Sequence, residues 1–255
     1  MDLSPAFLLE FANRIGAAAQ NVMEVARFGG LETDEVPSPF EVTYEHRTYR
    51  LRRYFPDLVP TTKRQRLARP PVVLVPPMML SADVYDVAPA ISAVAHLAAA
   101  GIDPWVVDFG APENEEGGLE RTLTDHVLAV SDAVDRVREQ TGRDVHLGGY
   151  SQGGMFCYQA AAYRRSVGLT SVVTFGSPAD TSGMVPFGIP EDVAGRVLGL
   201  VADNLQLWGL PSWASSLGFK LMDPLKSLRS RIDFVTQLHD REALLPRERQ
   251  RRFLM

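Results

Sequence analysis

Asp144-Val145-His146-Leu147-Gly148-Gly149-Tyr150-Ser151-Gln152-Gly153-Gly154-Met155 decides the reading of this chain. A short apolar run breaks into a glycine-flanked serine and then into a helix-like segment, so the stretch reads as strand, sharp turn and helix with Ser151 at the bend. Its centre, Gly149-Tyr150-Ser151-Gln152-Gly153, spells G-x-S-x-G. A nucleophile held on a strained turn needs neighbours without side chains on either side, so that strand and helix can pass close to one another. The helix N-terminus then aims free N–H groups and a positive dipole end at any oxyanion formed beside Ser151. An ordinary glycine-rich strand-to-helix turn is the competing reading.

Around this stretch lie 255 residues, enough for one large α/β domain or two small ones, with no break in composition that argues for two. Hydrophobic residues make up 45% and charged residues 22%, the balance of a soluble globular protein. A net charge of −5 gives no reason to expect a nucleic acid partner. One cysteine, Cys157, excludes an internal disulfide framework and suits a reducing compartment. Met1-Asp2 opens without a basic stretch, an apolar core or a small-residue cleavage site, so no secretory signal is expected. No window approaches the run of about twenty apolar residues that a membrane span needs. The expectation is a cytoplasmic protein with scope for contact with lipid or membrane at its surface.

From Ser4 to Phe28, apolar residues at Leu8, Ala12, Ile15, Ala19, Val22 and Ala26 predict one helix, closed by Gly29-Gly30, that packs on the domain or on a partner chain. Pro37 and Pro39 mark a linker, giving a division into residues 1–38 and a core over 39–255. Phe40–Tyr44 and Tyr49–Arg52 alternate like an antiparallel hairpin. The arginine-rich stretch from Arg47 to Arg69 reads as a solvated sheet edge, with an anion site as the alternative. Pro71–Pro77 and Pro104–Asp108 are apolar runs suited to buried parallel strands, separated by a helix expected over Ala82–Ala100. A helix from Leu119 to Thr141, the strand before Ser151, an Ala-rich helix to Ser166 and a strand over Thr170–Phe175 complete an alternation of strands and helices, hence a mostly parallel sheet with right-handed crossovers. From Thr181 to Ile232 the rhythm stops, and scattered apolar residues such as Leu205, Trp208, Trp213 and Phe219 suggest a helical cap whose lining suits acyl chains. A plain helical insertion is the alternative.

A serine hydroxyl needs a base, usually histidine, oriented by a carboxylate. With the nucleophile on such an elbow the chain order is Ser, then Asp or Glu, then His. His239 is the single histidine after Ser151, and Asp180 stands just past the strand that follows the elbow. Ser151, Asp180 and His239 therefore form a triad in the right order, although a surface histidine and a helix-capping aspartate are the plainer readings. The oxyanion hole should combine the N–H of Gln152 with that of Met78, the first residue after Val75 that can donate, because Pro76 and Pro77 cannot. His46, His96, His126 and His146 lack metal-ligand spacing, so no metal and no cofactor are expected.

The residues Leu74-Val75-Pro76-Pro77-Met78, the run Thr141–Gly154, and the tail around Arg231-Ile232-Asp233-Phe234 and Arg252-Phe253-Leu254 resemble polyhydroxyalkanoate synthases and their lipase-like relatives over residues 40–255. The likeness looks closest to the N-terminal hydrolase region of actinobacterial proteins that join such a domain to a long-chain acyl-CoA synthetase. It implies an α/β-hydrolase fold and a substrate that is an acyl ester or acyl-CoA thioester. Ser151 stands where the polymer synthases carry cysteine, which favours hydrolysis over polymerisation. The resemblance also implies that the last strands, with the family's acid and histidine, fall beyond Met255, and that the chain is the leading piece of a longer protein.

Overall fold

Among the described residues, six strands pair into one sheet in the order β1-β2-β4-β3-β5-β6. They are β1 (Phe40–His46), β2 (Tyr49–Tyr54), β3 (Pro71–Val75), β4 (Asp103–Asp108), β5 (Val145–Tyr150) and β6 (Leu169–Phe175). Among the described residues, the helices are α1 (Pro5–Phe28), α2 (Ala93–Ala99), α3 (Leu123–Thr141), α4 (Gln152–Tyr163) and α5 (Arg241–Arg252). The computed structural model describes residues 5–28, 31, 36–58, 69–78, 80–179, 192–193, 196, 233–234 and 236–252. Apart from Asp192, Val193 and Arg196, the expected cap over 181–232 falls outside them, as does Asp180. The chain divides into two compact units: Met1–Glu32 with Asp180–Leu245, and Thr33–Ala179 with Pro246–Met255.

The sheet belongs to the second unit. β1 and β2 form the antiparallel hairpin, β2 runs antiparallel to β4, and β3, β4, β5 and β6 are mutually parallel. One face of the sheet, with Val73, Val75, Trp105 and Leu147, packs against Val130, Val134 and Val137 of α3 and Phe156, Cys157 and Ala160 of α4. The opposite face, with Leu74, Val106 and Tyr54, packs under Ala82, Tyr85 and Val94. Helical segments cover both faces, and the middle of the central strands is apolar for that reason. α3 starts on a capping box, Thr122 Oγ1 accepting from Asp125 N while the Asp125 carboxylate accepts from Thr122 N, and stops at Gly142 with φ 69°.

Two expectations are corrected. The helix expected over Ala82–Ala100 is three pieces, two 3₁₀ turns at Ala82–Tyr85 and Pro89–Ile91 and then α2. Pro89 forces Ala88 into an extended conformation with φ −162°. Ser81 and Ser92 then start separate helical pieces by accepting from Asp83 N and Ala95 N. The arginines of β2 are not a solvated edge, because β2 lies inside the sheet between β1 and β4. Arg52 is bound to Asp108 and Asp83, Arg53 to Asp103 and Arg50 to Glu115, so their charge is used within the fold and not offered to an anion. In α1, Phe7, Phe11, Ile15 and Val22 are exposed. Within the first unit, Asn21 donates to Leu238 O and Glu24 pairs with Arg241.

Candidate active site

The connection after β3 leads to β4 on one side of it, and the connection after β5 leads to β6 on the other. Between the carboxyl ends of β3 and β5 the strand order therefore reverses, and the crevice outside such a reversal is where open parallel sheets bind ligands. Both walls carry residues singled out from the sequence. Ser151 ends the β5 wall, and Pro76, Pro77 and Met78 end the β3 wall.

Ser151 has φ 52° and ψ −122°, a conformation that residues with a side chain rarely adopt. Several contacts impose it. Its N–H donates to Phe175 O at the end of β6, 2.8 Å away, and its carbonyl accepts from Gly154 N at 3.0 Å. The first turn of α4 is pressed onto the strand ends. A Cβ on Gly149 would lie 2.5 Å from Cα and N of Gly154, and one on Gly153 would fall on the carbonyl oxygen of Val75. Those two glycines are close-approach positions, as the G-x-S-x-G spelling predicts. The serine side chain makes no capping bond to α4, so its hydroxyl is not committed to the helix it precedes.

On the opposite wall, Pro76 and Pro77 leave Met78 as the first donor after β3, and Met78 N–H donates to Gln152 Oε1 at 3.3 Å. The two residues expected to supply the oxyanion hole are thus in contact across the crevice. The Gln152 amide oxygen is the acceptor at the Met78 N–H, and the N–H groups of the first turn of α4 carry the positive end of the helix dipole.

Other groups are accounted for. Burial pushes the Cys157 thiol pKa well up, so it stays protonated and belongs to the core. His126 lies between Phe109 and Phe156, with ring centroids 4.9 and 5.4 Å away, and shares Nδ1 with Thr122 O at 2.7 Å. Desolvation by burial lowers its pKa, which keeps it neutral at pH 7. His239 lies in the other unit, where its Nε2 is 2.9 Å from Arg14 Nη2. A guanidinium can only donate, so this ring nitrogen is the acceptor. Among the described residues, no three His, Cys, Asp or Glu side chains converge as metal ligands. Tyr85, by contrast, carries no motif in the sequence, yet its hydroxyl stands at the head of the crevice.

A strained serine between a buried parallel strand and a helix, at the reversal of strand order, defines the class of α/β hydrolases built on a nucleophile elbow. Residues 72–254 match the alpha/beta hydrolase family, and the chain belongs to it. It is also similar to the poly(3-hydroxyalkanoate) polymerase subunit PhaC of Haloferax mediterranei, 27% identical over 221 residues that make up 86% of this chain and 42% of that protein. The chain spans less than half the length of that relative. Among solved structures it resembles the mature Bacillus licheniformis lipase BlEst2, with 22% identity, TM-score 0.36, and coverage of 44% of this chain and 42% of that one. It also resembles brefeldin A esterase, a bacterial homologue of human hormone sensitive lipase, with 22% identity, TM-score 0.35, and coverage of 63% and 47%. Among the described residues no helix is long and apolar enough to cross a membrane.

Proposed function

We propose that the chain carries a serine-nucleophile hydrolase site acting on acyl esters, with acyl-CoA thioesters as the related substrate class. The observation that carries this reading is Ser151 at φ 52°, held between β5 and α4 with its hydroxyl free of the helix. Ser151 Oγ attacks the acyl carbonyl carbon while a base takes its proton. The tetrahedral oxyanion replaces the Gln152 side chain at Met78 N–H and also accepts from Gln152 N–H. Collapse expels the alcohol or thiol, which takes up the proton, and water then cleaves the acyl-serine ester. Chain order alone assigns the base to His239 and its carboxylate to Asp180.

A second reading follows from the likeness to a polymerase subunit. It is an acyltransferase, in which a hydroxyl of another acyl chain replaces water in the second step. A third is a non-catalytic acyl-binding domain fused to or associated with an acyl-CoA synthetase, acting in lipid metabolism in the cytoplasm or at a lipid surface. Hydrolysis of p-nitrophenyl butyrate and octanoate by the wild type and by Ser151→Ala separates these. Turnover lost in the variant supports the serine hydrolase, and equal turnover in both sinks it. Hydroxyacyl-CoA consumed without release of free acid points to transfer. A wild type that binds fatty acyl ligands but does not react with a fluorophosphonate points to the binding domain.

A further inference from the structure

Val75 and Gly149 are the last register pair between β3 and β5. β3 cannot extend the ladder, because its next two residues, Pro76 and Pro77, have no N–H. At this point a side chain takes over. Tyr85, from the 3₁₀ turn Ala82–Tyr85, donates its hydroxyl to Val75 O at 2.8 Å and accepts from Tyr150 N–H at 3.1 Å. Tyr85 is 7% exposed and packs in the cluster of Leu74, Val94 and Val106, so no rotamer change is open to it without emptying that space. Its phenol stays protonated, because burial raises its pKa far above the ordinary tyrosine value.

One hydroxyl therefore ties together the strand ends from which the two oxyanion donors depart, Met78 shortly after Val75 and Gln152 shortly after Tyr150. We propose that Tyr85 is a positioning residue of the Ser151 site, whose hydroxyl sets the distance between the Met78 and Gln152 N–H groups and holds the backbone entering the strained serine. The proposal rests on the serine-hydrolase reading. A phenylalanine at this position would fill the same ring volume and support the same apolar cluster, but it would leave the ends of β3 and β5 tied only by their own ladder.

The test is Tyr85→Phe beside the wild type and Ser151→Ala, measured by p-nitrophenyl butyrate kinetics, by affinity for an alkyl trifluoromethyl ketone, and by hydrogen exchange of the Tyr150 amide. The expected result is a kcat lower by roughly 10- to 100-fold, the range that a small misplacement of oxyanion donors produces, with KM changed by less than about twofold. Affinity for the ketone, which forms the tetrahedral adduct, should fall by the same factor as kcat. The Tyr150 amide should exchange faster while the amides of β4 keep their protection. A lower melting temperature with unchanged kcat and ketone affinity would make Tyr85 a packing residue and overturn the proposal, as would unchanged exchange at Tyr150. Turnover that persists in Ser151→Ala would instead remove the serine-hydrolase reading on which the proposal stands.

Discussion

Gly148 and Gly149 are neighbours on one strand, yet substitution by alanine should separate them sharply. A Cβ on Gly148 would lie 3.0 Å from Leu74 Cδ2, the tip of a side chain that can turn away. A Cβ on Gly149 would lie 2.5 Å from two backbone atoms of Gly154, and backbone in the first turn of a packed helix cannot turn away. Restoring an ordinary contact of about 3.5 Å requires α4 and β5 to part by roughly 1 Å, a displacement of the overpacked kind that costs about 1–3 kcal/mol. For a chain of this size each kcal/mol lowers Tm by about 2–4 °C, so Gly149→Ala should melt some 2–12 °C below the wild type. The same parting carries the Gln152 N–H away from the crevice, and a misplacement of about 1 Å is worth roughly 10²-fold in rate. Thermal unfolding followed by circular dichroism, with the rate of fluorophosphonate labelling at Ser151, measures both effects. Gly148→Ala should lose less than about 1 kcal/mol and little reactivity, and Gly16→Ala in α1, where a Cβ meets nothing within 4 Å, should gain up to about 1 kcal/mol. Equal melting and labelling in Gly148→Ala and Gly149→Ala would refute the close-approach account of the elbow.

Ser151→Gly should abolish labelling while raising stability by about 1 kcal/mol in urea unfolding, since glycine adopts φ 52° without the strain of roughly 1–3 kcal/mol that serine bears, less its larger chain entropy. Arg52→Met should cost about 1.5–3 kcal/mol in the same assay, because the carboxylate of Asp108, 5% exposed, loses its closest cation and keeps Arg50 at 3.4 Å. His126 gives a pH dependence of defined sign. Its folded-state pKa lies below the ordinary value of 6.5, so the unfolded chain takes the proton first and stability falls as the pH drops below about 6.5. His126→Phe should flatten the Tm-versus-pH curve between about pH 6.5 and 5, and an unchanged slope would show that another group carries it.

The elbow was fully legible in the sequence, because close approach leaves a spelling: a Cβ at Gly149 or Gly153 would strike backbone, and only glycine fits. The buried strands β3 and β4 were legible as continuous apolar runs. The break-up of the segment after β3 was legible too, in Pro89, but the apolar spacing across Ala82–Ala100 imitates one helix. The pairing of the β2 arginines was not, since it depends on β2 lying beside β4, a neighbour that comes about fifty residues later in the chain. Tyr85 was hidden for a similar reason. Its partners are a carbonyl and an amide from two strands, and backbone groups have no letters in a sequence.

The proline pair that ends β3 has a consequence in entropy. Pro76 and Pro77 each hold φ near −65°, so the loop that presents Met78 has few conformations to lose on folding. Most of that ordering is already done in the unfolded chain, by covalent rings and not by contacts. On the proposed hydrolase reading, a donor fixed in this way cannot follow a substrate, so the range of acyl groups accepted would be set by whatever forms the rest of the site.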